Sequence, residues 1–253
     1  MNLFRSASRI LIIAHRGSSA QAPENTLAAF RLAAEQGADA IELDAKLSSD
    51  HQVVVIHDNT VERTTGTGGR IRDLSLKQLK NLDAGSYFGA QFSGEAIPTL
   101  AEVFETVGLR VLVNVELTNY ATPGDNLVSL VCALVKDFHL EERVLFSSFL
   151  PKNLVRARQI LPEVPCAILA LPGLKGWLAR SIFMENISPQ AVNPYFKDTT
   201  ASYLRRQAKK GRKTNVWTVN NPTDLARLAK DGANGLITDN PLTALGVLKN
   251  LAN

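Results

Sequence analysis

Two apolar runs carry polar side chains at alternate positions, three of them acids: Ala40-Ile41-Glu42-Leu43-Asp44-Ala45 and Val111-Leu112-Val113-Asn114-Val115-Glu116-Leu117. Side chains on a strand point to opposite faces in turn. Ile41, Leu43 and Ala45 therefore share one face and Glu42 and Asp44 the other, while Asn114 and Glu116 oppose Val111, Val113, Val115 and Leu117. Carboxylates converging in an apolar interior are pushed towards their neutral forms by burial and by one another, unless a cation compensates. Salt bridges to Arg16 or Lys46 are one source of that charge. A divalent ion is the other, and Glu42, Asp44 and Glu116, with no cysteine among them, suit hard Mg²⁺ or Ca²⁺ over Zn²⁺. His15 ends an apolar run directly before Arg16-Gly17, and His57 ends another. Imidazole titrates near neutral pH, so a histidine pair beside a carboxylate cluster points to general acid–base catalysis. His51, in a turn, and His139, at a helix end, read as surface residues. The G-x-S-x-G, Walker, H-E-x-x-H and C-x-x-C patterns are absent. Gly66-Thr67-Gly68-Gly69 follows no strand directly and is not a dinucleotide fingerprint.

These residues need a scaffold that points acids and imidazoles at one place. Strand patterns fall at 10–15, 40–45, 53–57, 111–117, 144–148, 166–170, 191–193, 216–219 and 235–238. Helical patterns fall at 26–36, 100–107, 125–138, 151–160, 178–184, 200–210, 222–230 and 241–251. Asn25, Thr99, Asn221-Pro222 and Asn240-Pro241 supply start signals. Strand–helix alternation implies a parallel sheet covered by helices. The gap from Ala45 to Val53 is too short for a parallel crossover, which needs about a dozen residues, so those two strands form a hairpin. A two-residue turn at Asp50-His51 would pair Lys46 with Val55, Leu47 with Val54, Ala45 with Ile56 and Asp44 with His57, setting His57 beside the acids. Eight strands then remain in the crossover series. The expected fold is a closed (β/α)₈ TIM barrel, typically of roughly 250 residues, with its active site at the C-terminal strand ends. An open doubly wound sheet is the alternative. Residues 1–253 read as a single domain, and 58–98, which break the rhythm, as a small inserted subdomain.

Composition agrees. The 253 residues are 45% hydrophobic and 21% charged, enough apolar side chain to exclude disorder as the main state. No apolar run approaches the ~20 residues that span a bilayer. Nor does any long amphipathic or strongly apolar surface segment stand out for membrane docking. Cys132 and Cys166 lie in apolar segments and read as small buried side chains without a disulfide framework. No signal peptide is visible, so a cytoplasmic location is expected. A net charge of +4 favours anionic small molecules without demanding nucleic acid. The basic run 205–213 reads as a solvated helix end, with anionic lipid or nucleic acid as the other readings.

His15-Arg16-Gly17, Pro23-Glu24-Asn25-Thr26, Glu42-Leu43-Asp44, His57-Asp58 and Asn114-Val115-Glu116 stand in the order found in glycerophosphodiester phosphodiesterases. Ser148-Phe149, Trp217-Thr218-Val219-Asn220 and Ile237-Thr238-Asp239-Asn240-Pro241 resemble later signatures of that family. Each tripeptide is weak alone; the ordered set is specific and covers nearly the whole chain. The resemblance implies one Mg²⁺ or Ca²⁺ on Glu42, Asp44 and Glu116, an acid–base pair of His15 and His57, and Arg16 on a phosphate oxygen. It places Phe149 and Trp217 at the glycerol end of the pocket. The implied reaction converts a glycerophosphodiester to sn-glycerol 3-phosphate and an alcohol. A lysophospholipase D-type enzyme and a non-catalytic barrel binding phosphodiester or anionic lipid are the rival readings. Many members carry Lys two residues after the third acid, where this chain has Thr118. A lysine placed there is expected to tighten substrate binding, unless a cation such as Arg70 or Arg72 already fills the role.

Overall fold

The computed structural model describes residues 2–252. Its strands are β1 (Leu11–His15), β2 (Ala40–Leu47), β3 (Val53–Val55), β4 (Leu112–Leu117), β5 (Val144–Ser148), β6 (Cys166–Ala170), β7 (Ala191–Pro194), β8 (Lys213–Val216) and β9 (Gly235–Thr238). All but β3 pair in parallel, and the β1–β2 pairing closes them into an eight-stranded barrel, the (β/α)₈ architecture. The short helices α1 (Leu3–Ser6), α3 (Glu62–Thr65) and α4 (Leu76–Lys80) stand apart from the outer ring. That ring is α2 (Leu27–Glu35), α5 (Leu100–Val107), α6 (Leu127–Asp137), α7 (Pro151–Ile160), α8 (Ala201–Lys209), α9 (Pro222–Asp231) and α10 (Pro241–Ala252).

The alternation along β2 and β4 explains how the acids come inside. Ile41, Leu43, Ala45, Val113, Val115 and Leu117 join α5 and α6 residues such as Leu100, Val103 and Val131 in the outer core. The opposite faces line the barrel axis, where Leu11, Ile13, Ala40, Leu112, Leu145, Ala167 and Ile237 form an apolar plug closed from below by Phe4 of α1. Above that plug the axial positions become polar at Glu42, Asp44, Asn114 and Glu116.

Between β3 and α5 the chain forms α3, a 3₁₀ turn at Ile71–Asp73, α4 and a second 3₁₀ turn at Ala90–Phe92. This segment has its own apolar cluster of Val61, Ile71, Leu79, Ala84 and Ile97, into which Val54 and Ile56 reach from the hairpin.

Five expectations need correction. The β2–β3 register is shifted by one: Ala45 faces Val55, Lys46 faces Val54 and Leu47 faces Val53. The turn closes between Ser48 and Gln52, with His51 at φ 58°, so one more residue sits in the loop than a two-residue turn allows. The pattern at 178–184 is no α-helix but part of a loop with 3₁₀ turns at Gly173–Gly176 and Ile182–Met184. A Cβ at Gly176 would lie 1.8 Å from the Leu171 carbonyl oxygen, a packing only glycine permits. This loop leaves Leu174 (92%), Phe183 (67%) and Trp177 (60%) exposed, the apolar surface segment that the composition did not reveal. Strand β8, the seventh of the barrel, starts at Lys213 instead of Val216, because Arg212 is buried and donates to the Ser188 carbonyl instead of ending a solvated helix. Thr26 caps α2, accepting from Ala29 N; Asn25 is used elsewhere.

Among the described residues, no helix is long and apolar enough to cross a membrane.

Candidate active site

The eight residues picked out by sequence, His15, Arg16, Glu42, Asp44, His57, Glu116, Phe149 and Trp217, line one cavity of about 140 Å³ at the C-terminal end of the barrel. Register explains the convergence of the acids. His15 pairs with Glu42 across β1–β2, Glu42 with Asn114 and Asp44 with Glu116 across β2–β4. Carboxylate oxygens of Glu42, Asp44 and Glu116 all lie within 4.8 Å of one another. Burial, and then the neighbouring Asp44 and Glu116 charges, raise the Glu42 carboxyl well above its ordinary range. Burial and Asp44 push Glu116 up to about 8. Arg16 supplies partial compensation: its Nε lies 3.3 Å from Asp44, its guanidinium donates to Glu24 at 2.8 Å, and its backbone N–H donates to Glu42 at 3.1 Å. One shared guanidinium beside three acids leaves the cluster short of positive charge. Both side-chain polar atoms of buried Asn114 also lack a partner. An all-oxygen donor set, short of positive charge and beside an unpartnered amide, fits a hard divalent cation.

Arg16 holds φ at 56°, and Gly17 follows at 85°. A Cβ on Gly17 would lie 2.7 Å from the Ala29 backbone, so only glycine lets this turn pack on α2. The turn aims the Arg16 backbone N–H and side chain together at the acids.

Each histidine is held at one nitrogen. His15 Nδ1 donates to Asp239 at 2.6 Å, and its Nε2 stands 4.0 Å from Glu42. Asp239 also accepts from Ser19 and Asn220. Burial alone would raise its pKa, but these donors, led by His15, hold it below the usual carboxylate range. His57 Nδ1 donates to Asp58 at 2.7 Å. Asp58 accepts from Arg63, which also bonds Glu24, the partner of Arg16. His57 reaches the cavity although the corrected register opposes Ile56, not His57, to Asp44: the Ile56 N–H donates to the Asp44 carbonyl, and the chain turns inward directly afterwards.

Asp239, Asp58, Glu24 and Tyr120 were not assigned roles from sequence, and Asn25 was read only as a helix cap. Asp239, Asp58, Glu24 and Asn25 sit inside the recognised motifs, which is the signal that could have found them. Asn25 donates to Asp44 Oδ2 at 2.9 Å and accepts from its backbone N–H. Tyr120 donates to Glu116 at 2.7 Å and packs edge-on against Phe149. Phe149 packs on Trp217 and Trp217 on Tyr195, giving one aromatic wall. Trp217 is fixed by donating to the Asn193 carbonyl at 2.7 Å. At Thr118 the cation already in place is Lys46, from the neighbouring strand: its ammonium donates to the Thr118 carbonyl at 2.9 Å and hydroxyl oxygen at 3.0 Å.

Comparison with known proteins agrees with this geometry. A glycerophosphodiester phosphodiesterase of Caldanaerobacter subterraneus subsp. tengcongensis is 39% identical over 242 residues, covering 95% of this chain and 98% of that one. A phosphodiesterase of Oleispira antarctica, solved with the product sn-glycerol-3-phosphate, superposes with a TM-score of 0.86 at 31% identity, covering 94% of this chain and 96% of that one. A glycerophosphodiester phosphodiesterase of Agrobacterium tumefaciens gives a TM-score of 0.81 at 26% identity, covering 94% and 99%. Residues 15–243 match the Glycerophosphoryl diester phosphodiesterase family, and the chain belongs to that family.

Proposed function

We propose that this enzyme is a metal-dependent phosphodiesterase that hydrolyses glycerophosphodiesters to sn-glycerol 3-phosphate and an alcohol. The observation that carries the reading is the pair of imidazoles, each tied at Nδ1 to an aspartate, facing three carboxylates in one cavity. Binding alone would call for cations more than for two histidines. The Oleispira relative, solved with sn-glycerol-3-phosphate, supports the product.

Glu42, Asp44 and Glu116 would hold Mg²⁺ or Ca²⁺. When bound, such an ion supplies Lewis-acid charge that offsets negative charge growing on the phosphoryl oxygens. Arg16 would hold a phosphoryl oxygen, its planar fork being suited to that contact. The aromatic wall of Phe149 and Trp217 would seat the glycerol. One histidine takes the proton of the glycerol 2-hydroxyl as its oxygen bonds to phosphorus. The bond to the alcohol oxygen breaks, and the other histidine protonates that oxygen. Water then adds to the phosphorus of the cyclic phosphate: the histidine that gave up its proton takes one from the water as the new P–O bond forms, the bond from phosphorus to the glycerol 2-oxygen breaks, and the histidine that first took the 2-hydroxyl proton returns it to that oxygen, which restores both protonation states. Each transfer is worth about 10²–10⁴-fold. Asp239 and Asp58 hold the proton on Nδ1 and so keep Nε2 as the nitrogen that exchanges it.

The test is turnover of glycerophosphocholine, glycerophosphoethanolamine, glycerophosphoinositol and lysophosphatidylcholine with each metal. EDTA is expected to abolish activity, and Mg²⁺ or Ca²⁺ to restore it; full activity of the metal-free protein sinks the metal requirement, and no turnover at all favours a binding role. Preference for lysophosphatidylcholine would favour a lysophospholipase D-type enzyme. That second reading has one observation behind it, the exposed Leu174, Trp177 and Phe183 in the loop after β6.

A further inference from the structure

A second cavity, of about 210 Å³, opens further along the strands that carry the acids. Lys46 follows Asp44 on the inner face of β2, and Thr118, directly after β4, follows Glu116, each about 7 Å beyond its acid. The insertion forms the opposite wall, with Arg70 and Arg72. Lys46, Arg70 and Arg72 thus line one cavity that has no carboxylate in its wall. Lys46 is only 6% exposed, and the bonds found for its ammonium go to two oxygens of Thr118, both neutral acceptors. An ammonium has three donors, so one remains for a ligand. Arg72 has an exposed partner in Asp73 at 3.7 Å, and among the described residues Arg70 has no ion pair.

The position of this cavity bears on the substrate. Phe149 follows β5 and Trp217 follows β8, whereas His57, Arg70 and Arg72 lie on the segment that follows β3. The two cavities share no lining residue, but Lys46 stands two positions beyond Asp44 and Thr118 two beyond Glu116, so the far end of a substrate held at the acids with its glycerol against Phe149 and Trp217 would meet Lys46, Arg70 and Arg72 on this side. We propose that this cavity is a subsite for a second anionic group, a phosphate ester carried on the alcohol, so that the enzyme prefers glycerophosphodiesters whose alcohol is itself phosphorylated. The proposal rests on the phosphodiesterase reading above.

The test compares kcat/KM for glycerophosphoinositol 4-phosphate with that for glycerophosphoinositol, in the parent and in the Arg70→Gln/Arg72→Gln double variant, at about 0.15 M salt so that long-range attraction is screened. Charge-assisted contacts predict a preference of about tenfold or more for the phosphorylated substrate, mainly in KM, collapsing towards unity in the double variant. A ratio near one in the parent, or one unchanged in the variant, overturns the subsite. Both arginines are exposed, so this variant avoids the folding risk of replacing Lys46. Calorimetric binding of inositol 4-phosphate is scored separately. Binding lost in the double variant supports the subsite even if neither diester is turned over, a result that would sink the phosphodiesterase reading alone. Equal binding by parent and variant overturns the subsite whatever the turnover.

Discussion

A histidine serves as acid or base when one nitrogen is committed and the other is free to exchange a proton. His15 and His57 both meet that condition through Nδ1 bonds to Asp239 and Asp58. His15→Ala and His57→Ala are each expected to lower kcat at least about 10²-fold while calorimetric Mg²⁺ binding persists, because neither imidazole belongs to the carboxylate cluster. Lost metal binding in either variant would move that histidine into the ion's shell. The acids and His15 were legible in sequence because strand alternation assigns faces one residue at a time; His57 was placed through a hairpin register that the structure shifts by one, and reaches the cavity by another path. Their holders were not: Asp239 is 224 positions from His15, and no local pattern links them. Thr118 shows the same limit. From sequence, a lysine there looks like an added contact for phosphate. In the fold, the Lys46 ammonium already sits on both Thr118 oxygens, in a buried place. Thr118→Lys is therefore expected to bring two ammonium groups together, cost about 1–3 kcal/mol in denaturant unfolding, and leave kcat/KM no higher. A clear rise in kcat/KM would show that the phosphate still lacks a cation on this side.

At the scale of elements, strand existence was easier to read than strand register. The β2–β3 hairpin follows from a gap too short for a crossover. Its register depends on how many residues the turn takes, and the turn takes one more than the tightest closure. The added residue is Ser49, and the turn leaves His51 in the left-handed region that costs an L-residue roughly 1–2 kcal/mol. Glycine escapes that cost but loses about 0.5–1 kcal/mol of chain entropy. His51→Gly is thus expected to stabilise the protein by up to about 1 kcal/mol, read as a higher urea midpoint at unchanged slope. A lower midpoint would mean that the imidazole makes a stabilising contact at the hairpin tip. The loop after β6 was misread for a related reason. Its apolar spacing suits a helix, yet the glycine packing at Gly176 and the exposed Leu174, Trp177 and Phe183 belong to a tight loop. Periodicity reports what a segment could bury on one helical face; here, among the described side chains, Ala179 and Met184 pack against the barrel core, and Leu178 and Phe183 face out.

For the whole molecule, the closed barrel was legible as arithmetic: nine strand patterns less one hairpin partner leave the eight that close. What closure costs is less visible. It encloses Glu42, Asp44 and Glu116 where burial and mutual repulsion hold Glu42 well above its ordinary range and Glu116 at about 8. In the unfolded chain such groups ionise near the normal value of about 4.3. Between these limits the metal-free native state binds more protons than the unfolded state, so its stability falls as pH rises. A divalent ion reverses this, because it binds the folded cluster and needs the carboxylates ionised. Below pH 5 protons hold the site and the ion adds little. As pH rises towards 8 the protons leave more readily and the apparent affinity grows. The thermal midpoint with Mg²⁺ or Ca²⁺, less that with EDTA, is therefore expected to widen from pH 5 to pH 8. At 100 times the dissociation constant an ion contributes about 2.7 kcal/mol, or about 5–10 °C for a chain of this size. Binding must also release protons, so the calorimetric heat should vary with the ionisation enthalpy of the buffer. A midpoint difference independent of pH, without proton release, would show that these carboxylates are already ionised in the metal-free protein. Arg16, with Lys46 nearby, would then be enough to compensate them.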